Sequence, residues 1–372
     1  MRVFGSNELM EDVQDRELCI GCGACVELCP YFRNYRGKTA RMFDCTLTEG
    51  RCFAYCPKAE VDLGELATRH WGENYQAAPL GKCMEITAAR AGKNAPKGKY
   101  QGGGAVSALI DLALREGVID AAVLTGRKAM EPTADVVTDP DKVPEYAASK
   151  FTAAPTLAAM NRGVAAGYTR LGVVGTPCQM TAVAKMRMNP LNREDFSDPV
   201  GLTVGLFCNW ALDARNLAKF LSTRFDLSEI TGMDIPPPPA NVLVVETAEG
   251  KTEISLDEIR PLIPETCFIC PDMTSEWADM SVGMYEGRPG WNTLIIRTQR
   301  GADLVDMAVE KGWLEMEAFP EENASHLTDA ARLKKERALR TAQKRGVLNT
   351  EEEGKRAALR IPVEAVEAVL AG

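Results

Sequence analysis

RLGVVGTPCQMTAVAKMR, residues 170–187, decides the fold. RLGVVGTPCQ reads as a short apolar strand ending in a loop, and MTAVAKMR as the helix that follows. The same alternation continues on both sides. GGGAVSALIDLALREG, from Gly102, is a glycine-rich entry into an amphipathic helix, DAAVLTG a short buried strand and TLAAMNRGVAAG a further helix. Downstream, VGLTVGLFCNW reads as another strand, and NVLVVETAEGKTEISL as a hairpin turning at Glu249 and Gly250. WNTLIIRT adds a strand, and GADLVDMAVEKGWLEME a helix and a strand. Strands alternating with helices predict an α/β sheet covered by helices.

The flanks differ in texture. Residues 1–65 hold seven cysteines in short, weakly periodic segments, as where clusters replace an apolar core. Residues 66–101, with AARAGKNAPKGKY, are expected to be a surface linker. The α/β domain is expected over 102–322, interrupted by the proline run at 236–239, and a charged helical segment over 323–372. The fold class predicted is therefore α/β (mixed α+β), with a ferredoxin-like module ahead of the larger domain.

A chain of 372 residues is too long for a ferredoxin alone. A net charge of -9 and the lack of a Lys/Arg-rich run give no footprint for nucleic acid. No apolar run approaches the roughly 20 residues of a membrane-spanning helix. The first residues lack a secretory apolar region, so a cytoplasmic location is expected. There, closely spaced cysteines read as metal ligands rather than disulfides. The two histidines, His70 and His326, lie far from them in sequence, which argues against histidine-rich metal sites and a Cys-His nucleophile.

Cys19, Cys22, Cys25 and Cys29, followed by Pro30, have the C-x2-C-x2-C-x3-C-P spacing that delivers thiolates to the corners of a [4Fe-4S] cube. That ending is far more specific to cubanes than to zinc. In two-cluster ferredoxins the fourth cysteine of such a run crosses to the other cluster. One cluster then takes Cys19, Cys22, Cys25 and Cys56. The other takes Cys29, Cys45 and Cys52, with Cys83 as the candidate for its fourth corner, the alternatives being a three-iron cluster or a ligand other than cysteine. The remaining cysteines are Cys178, Cys208, Cys267 and Cys270. The first two stand at the ends of expected strands, where an open α/β sheet gathers its binding crevice. Four thiolates converging there make a third cubane; buried strand cysteines plus a structural CxxC are the alternative.

At these residues the chain resembles the beta-subunit family of coenzyme F420-reducing hydrogenase and F420-dependent formate dehydrogenase. The resemblance covers residues from about 100 to 320. It rests on the joint order of GGGAVSALIDLALREGVIDAAVLTG, SKFTAAPTLAAM, GVVGTPCQMTAVAKM, GLFCNW, CFICPDMTSEWADMSVG and GWNTLIIRT. It implies a non-covalent FAD beside a [4Fe-4S] cluster, with coenzyme F420 as the hydride carrier. The same family includes chlorophyll-cycle reductases, so the fold alone does not fix the substrate.

The resemblance further implies that Gly102, Gly103 and Gly104 admit the flavin phosphate to a helix amino terminus. Ser149 and Lys150 match a position where lysine stabilises negative charge on the reduced ring, which makes Lys150 the catalytic candidate. Thr176, Pro177 and Gln179 flank a cluster ligand and are expected to touch flavin or cluster, as is Asn209. Asp272 and Asp279 fall in the match with structural roles as the competing reading; Trp291 reads as core or as a cofactor cover, and Arg297 as the partner of an anionic ligand or of a surface carboxylate. No GxGxxG fingerprint supports a nicotinamide site.

The function expected is an FAD and iron-sulfur oxidoreductase with three [4Fe-4S] clusters. It exchanges hydride with coenzyme F420 and passes single electrons to a hydrogenase, a formate dehydrogenase, a heterodisulfide-reductase-like complex or a ferredoxin. The competing readings are a ferredoxin-dependent reductase of an organic substrate and an electron-transfer subunit without a substrate site.

Overall fold

The computed structural model describes residues 1–128, 130–237, 239–351 and 354–371. Pro238, within the expected proline break, and Gly372 lie outside the described residues.

The cysteine-rich module begins with α1 (Ser6–Leu9) and has the hairpin β1 (Phe32–Tyr35) and β2 (Lys38–Arg41) after its first cysteine loop. α2 (Arg51–Ala54), β3 (Val61–Asp62) and α3 (Leu63–Trp71) follow. α3 starts where the Asp62 carboxylate accepts the Glu65 amide at 2.9 Å, and it stops at Gly72, in the left-handed region that glycine tolerates. The buried Leu63, Leu66 and Ala67 turn it inward.

The larger unit runs through β4 (Glu85–Ala91), α4 (Ala105–Arg115), β5 (Ala121–Lys128), β6 (Glu131–Val137) and α5 (Thr156–Ala165). It continues with β7 (Leu171–Gly175), α6 (Pro177–Arg187), β8 (Val200–Leu206) and α7 (Ala214–Leu221). Next come β9 (Gly232–Asp234), β10 (Val242–Thr247), β11 (Gly250–Ser255) and α8 (Leu256–Ile259), then β12 (Met280–Met284) and β13 (Asn292–Ile296). The last elements are α9 (Gln299–Glu310), β14 (Leu314–Ala318), α10 (Glu321–Lys344), β15 (Leu348–Asn349), β16 (Leu359–Arg360) and α11 (Val363–Ala371).

The principal sheet has eight strands in the order β14-β4-β13-β12-β8-β7-β5-β6. Its parallel heart is β12, β8, β7 and β5, with antiparallel strands on both flanks. All five residues of β7 are buried, as a parallel strand covered on both faces requires. The apolar sides of α4 and α9 fill one layer. α5 and α6 pack on the other side in a core they share with Leu9, Phe32 and Phe53 of the cysteine module.

The predicted α/β class holds, and its boundaries shift. Residues 66–101 were expected to be a linker, yet they hold most of α3 and all of β4, which pairs with β13 on one side and β14 on the other. The hairpin turns one residue earlier than expected, because Thr247 already faces Gly250. α6 begins at Pro177, so Cys178 stands on the first helical turn rather than in a loop. The segment expected to be purely helical after 323 also contains β16, whose Leu359 pairs in parallel with Val61 of the cysteine module.

The glycine run before α4 is tightly seated. A Cβ on Gly103 would stand 2.8 Å from Asn292 Oδ1 and 2.9 Å from the Ala89 carbonyl. Gly103→Ala is expected to cost about 1–3 kcal/mol, as for other overpacked sites. Urea unfolding midpoints check this, and an unchanged midpoint would refute the tight seating.

Candidate cofactor cavity and cluster sites

A cavity of about 830 Å³ opens past the carboxyl ends of β5, β7 and β8, with Thr125, Gly175 and Leu206 in its wall. This is where ligands sit in open α/β sheets. Cys22, Cys178, Cys208, Cys267 and Cys270 share its lining. So do the cations Lys58, Lys150, Arg260 and Lys334, whereas Glu286 is the one carboxylate there among the described residues. On a chain of net charge -9, this concentration of positive charge suits an anionic ligand.

Cys178, Cys208, Cys267 and Cys270 form one mutually interacting set. Burial pushes the Cys178 thiol up to about 11, and Cys270 and Cys267 add to the rise. Burial raises Cys208 further, with Cys267, Cys178 and Cys270 as contributing neighbours. Thr176 Oγ1 lies 3.3 Å from the Cys178 sulfur, and the Ala211 amide donates to Cys267 Sγ at 3.5 Å. Polar hydrogens aimed at cluster sulfur are a known means of tuning a cluster.

The first cysteine loop docks on α5. The Leu157 amide donates to the Cys22 carbonyl at 3.0 Å, and Asn161 Nδ2 donates to the carbonyls of Ala24 at 3.2 Å and Val26 at 2.7 Å. Burial raises the Cys25 thiol, with Cys56 and Cys19 next among the causes. Burial likewise raises Cys22, with Cys56 the strongest neighbour. Cys19 and Cys56 are thus the neighbours that act on Cys25, and Cys56 and Cys25 act on Cys22. Cys52 is pushed up to about 11 by burial, and Cys29 and Cys45 are the thiols acting on it. The sets also adjoin: Cys22 senses Cys178, and Cys25 senses Cys52. The order through the molecule is therefore cavity set, first set, second set. No three His, Cys, Asp or Glu side chains among the described residues close around a single metal ion.

Cys83 does not join the second set. It is exposed just ahead of β4, and its thiol is raised by burial of its base while Arg297 pulls it down. Its place is fixed by the sheet, because the neighbouring Met84 amide donates to the Ile296 carbonyl at 2.9 Å. The expectation that Cys83 fills the fourth corner is thus corrected.

Gly102, Gly104, Ser149, Lys150, Thr176, Pro177, Gln179 and Asn209 all line the cavity, whereas Gly103 sits behind it. The amino terminus of α4 is partly occupied already, since the Ala105 amide donates to Asn292 Oδ1 at 3.2 Å. Ser149 is held through its amide, which donates to Gln101 Oε1 at 2.7 Å. Lys150 Nζ donates to the Ala147 carbonyl at 2.9 Å, and burial together with Arg127 lowers its pKa to about 8. Gln179 closes a capping box with Thr176 and spends its amide on the Ala154 carbonyl at 3.0 Å and Thr156 Oγ1 at 2.9 Å. It braces the wall.

Asp272 caps the Thr274 and Glu276 amides at 3.0 and 2.9 Å, and Asp279 binds the Thr203 amide and hydroxyl at 2.8 Å each, so both are structural. Arg297 is fully buried against the Leu80, Lys82 and Thr274 carbonyls, and Trp291 packs beneath Arg90 and Arg288. Burial lowers His70 to about 4. His326 reaches the cavity mouth, where it meets Glu286 at 2.8 Å.

Sequence reasoning missed three buried lysines beside the thiols. Lys58 Nζ donates to the Thr266 carbonyl at 3.1 Å, and its charge acts on Cys56, Cys178 and Cys267. Lys185 Nζ donates to the Cys56 carbonyl at 2.7 Å, and burial lowers its pKa to about 8. Lys334 Nζ donates to the carbonyls of Cys208 and, at 2.7 Å, Asp272. Of these, only Lys58, directly after Cys56-Pro57, carried a signal in its spacing.

The arrangement has counterparts among known proteins. Family models for the amino- and carboxyl-terminal parts of the coenzyme F420 hydrogenase/dehydrogenase beta subunit match residues 86–161 and 168–322, and a 4Fe-4S binding domain matches residues 13–31. The coenzyme F420 hydrogenase subunit beta of Methanothermobacter thermautotrophicus is 30% identical over 247 residues, covering 65% of this chain and 87% of that protein. The chain belongs to the coenzyme F420 hydrogenase/dehydrogenase beta-subunit family. The first family model starts at residue 86, which places β4 inside the family's domain and agrees with its pairing in the sheet.

The coenzyme F420-dependent sulfite reductase of Methanocaldococcus jannaschii is 28% identical over 323 residues; these are 83% of this chain but 48% of that protein, so the chain spans about half its length. A chain of the F420-reducing [NiFe] hydrogenase complex from Methanosarcina barkeri superposes with a TM-score of 0.65 at 26% identity, covering 72% of this chain and 93% of that one. Family membership and the 4Fe-4S match make this an iron-sulfur protein of F420-linked redox chemistry. No helix among the described residues is long and apolar enough to cross a membrane.

Proposed function

We propose that the chain binds FAD in its cation-lined cavity, exchanges hydride there with coenzyme F420, and relays single electrons through three [4Fe-4S] clusters to a partner protein. One observation carries the reading: a ligand-sized cavity walled by one complete cysteine set, with a second set adjoining it through Cys22. Its volume lies in the upper part of the roughly 300–1,000 Å³ usual for ligand pockets. A subunit that only wired two partners together has no use for such a cavity.

FAD, when bound, supplies the conversion between a two-electron hydride and single electrons. The chain's residues do the rest. Lys58, Lys150, Arg260 and Lys334 draw in a phosphate-bearing ligand, and apolar residues such as Val282 and Met273 displace water from it. Lys58 and Lys334, buried beside the thiols, offset the negative charge that four thiolates bring. The partner is a catalytic subunit, such as that of a hydrogenase, a formate dehydrogenase or a heterodisulfide-reductase-like complex, or a ferredoxin. Anaerobic protein mixed with reduced F420 tests the reading: its flavin absorbance is expected to bleach and the clusters to follow. Iron without flavin would leave the wiring role alone.

Lys150 gives this site a pH signature. With a pKa of about 8 it is charged below that pH and neutral above it. FAD affinity is therefore expected to weaken as pH rises through 8. Lys150→Gln should remove that step and cost about tenfold or more at pH 7, in line with the ~1.5–3 kcal/mol of a hydrogen bond to a charged group. Quenching of flavin fluorescence measures both, and a parent profile flat across pH 8 rejects the role.

A further inference from the structure

The second cysteine set has three thiols, and the expected fourth has been placed elsewhere. Aligning the two halves of the module on their Cys-Pro endings sets Cys52 on Cys25 and Cys56 on Cys29. Counting back the same two-residue spacer sets Glu49 on Cys22, and a glycine follows each, Gly50 and Gly23. Glu49 thus occupies the register from which the first half delivers a ligand, whereas Cys45 stands one residue ahead of the register of Cys19, which falls on Thr46.

Its surroundings agree. The loop that carries it is pinned, because the Gly50 amide donates to the Phe4 carbonyl at 3.0 Å and the Leu47 carbonyl packs against Gly5, where no Cβ has room. Yet the Glu49 carboxylate makes no hydrogen bond or ion pair among the described residues. Nearby Asp44 and Glu8 are engaged, with Arg41 and the Gly5 amide. Gly50 is extended, whereas Gly23 is left-handed, so the two loops leave their halves by different routes. A glutamate reaches two bonds farther than a cysteine and can span the difference. Glu49 is also exposed, so a hydrated carboxylate is not stranded there.

We propose that Glu49 supplies the fourth ligand of the second cluster, a carboxylate oxygen at an iron corner whose other three corners belong to Cys29, Cys45 and Cys52. The inference rests on the proposed second cluster. A carboxylate donates less charge to iron than a thiolate, so this cluster is easier to reduce than an all-cysteine version in the same place.

The test uses the full chain, reconstituted anaerobically with iron and sulfide, as parent, Glu49→Ala, Glu49→Cys and Cys83→Ala. Iron per chain and the electron paramagnetic resonance of oxidised and reduced samples are read. The parent should hold about twelve irons with no three-iron signal, as three cubanes require. Glu49→Ala should lose about one iron per chain and show an oxidised three-iron signal. Glu49→Cys should keep the cubane and lower its half-reduction potential. Cys83→Ala should match the parent.

A Glu49→Ala protein with the parent's iron and spectrum, or a Cys83→Ala protein with a three-iron signal, overturns the assignment. A parent holding only about eight irons sinks the second or third cluster itself rather than its ligand alone.

Discussion

Cys178→Ala protein, purified without oxygen, is expected to carry about one iron fewer per chain than the parent while still binding FAD, because one of the three proposed cubanes loses a corner. Cys178 holds the junction between cavity and relay: it lines the cavity, sits on the first turn of α6 and acts on Cys22 of the next set. Without it, hydride should still reach the flavin, but single electrons should not leave. Removing a group behind a metal ligand already costs about 10–100-fold, so loss of the ligand should slow reduction of a one-electron dye by roughly 100-fold or more. Reduced F420 should then bleach the flavin normally while the dye stays oxidised. Dye reduction near the parent rate would show that electrons leave by another path.

The second large effect concerns stability. Lys335 on α10 pairs with Glu276, and its Nζ also donates to Tyr75 Oη at 3.1 Å. The side chains of Lys335 and Glu276 are 1% and 4% exposed, so neither partner has water to fall back on. Lys335→Met leaves a carboxylate buried without its cation and should cost about 3–5 kcal/mol. Glu276 compounds the loss, since burial already raises its pKa and Asp272 adds to that. The Lys335→Met, Glu276→Leu double variant should recover most of the stability, because an apolar pair of similar volume replaces a buried ion pair at little cost. Denaturant midpoints of the three proteins decide it, and a single variant within about 1 kcal/mol of the parent would show that the pair contributes little.

What the sequence revealed follows from how locally each feature is encoded. The first cysteine run was legible because its four thiols are closely spaced, and the parallel strands because full burial makes them continuously apolar. β4 was not legible: EITAARA is alanine-rich with little strand propensity, and it is a strand only because β13 and β14 arrive about 200 residues later to pair with it. Lys334 and Lys335 looked like part of a solvated helix, LKKER. They are buried because the Cys208 and Asp272 carbonyls and Glu276 await them from distant loops. Cys83 was misplaced for the converse reason, since proximity in sequence to the ferredoxin-like module says nothing once a strand carries the chain away.

The pairing of β16 with β3 reaches beyond stability. With Arg360 bound to Glu60 at 3.0 Å and Arg16 and Arg345 each donating to carbonyls across the same seam, Arg345, Gly346, Leu359 and Arg360 clamp the cysteine module to the segment that follows α10. Carriers mounted on a swinging arm pick up at one station and discharge at another, and their throughput is set by the swing. This module is instead pinned through Arg16, Glu60 and Val61. With the proposed clusters in place, the gaps between them are built to one length, so the traffic should scale with driving force and not with the viscosity of the surrounding medium.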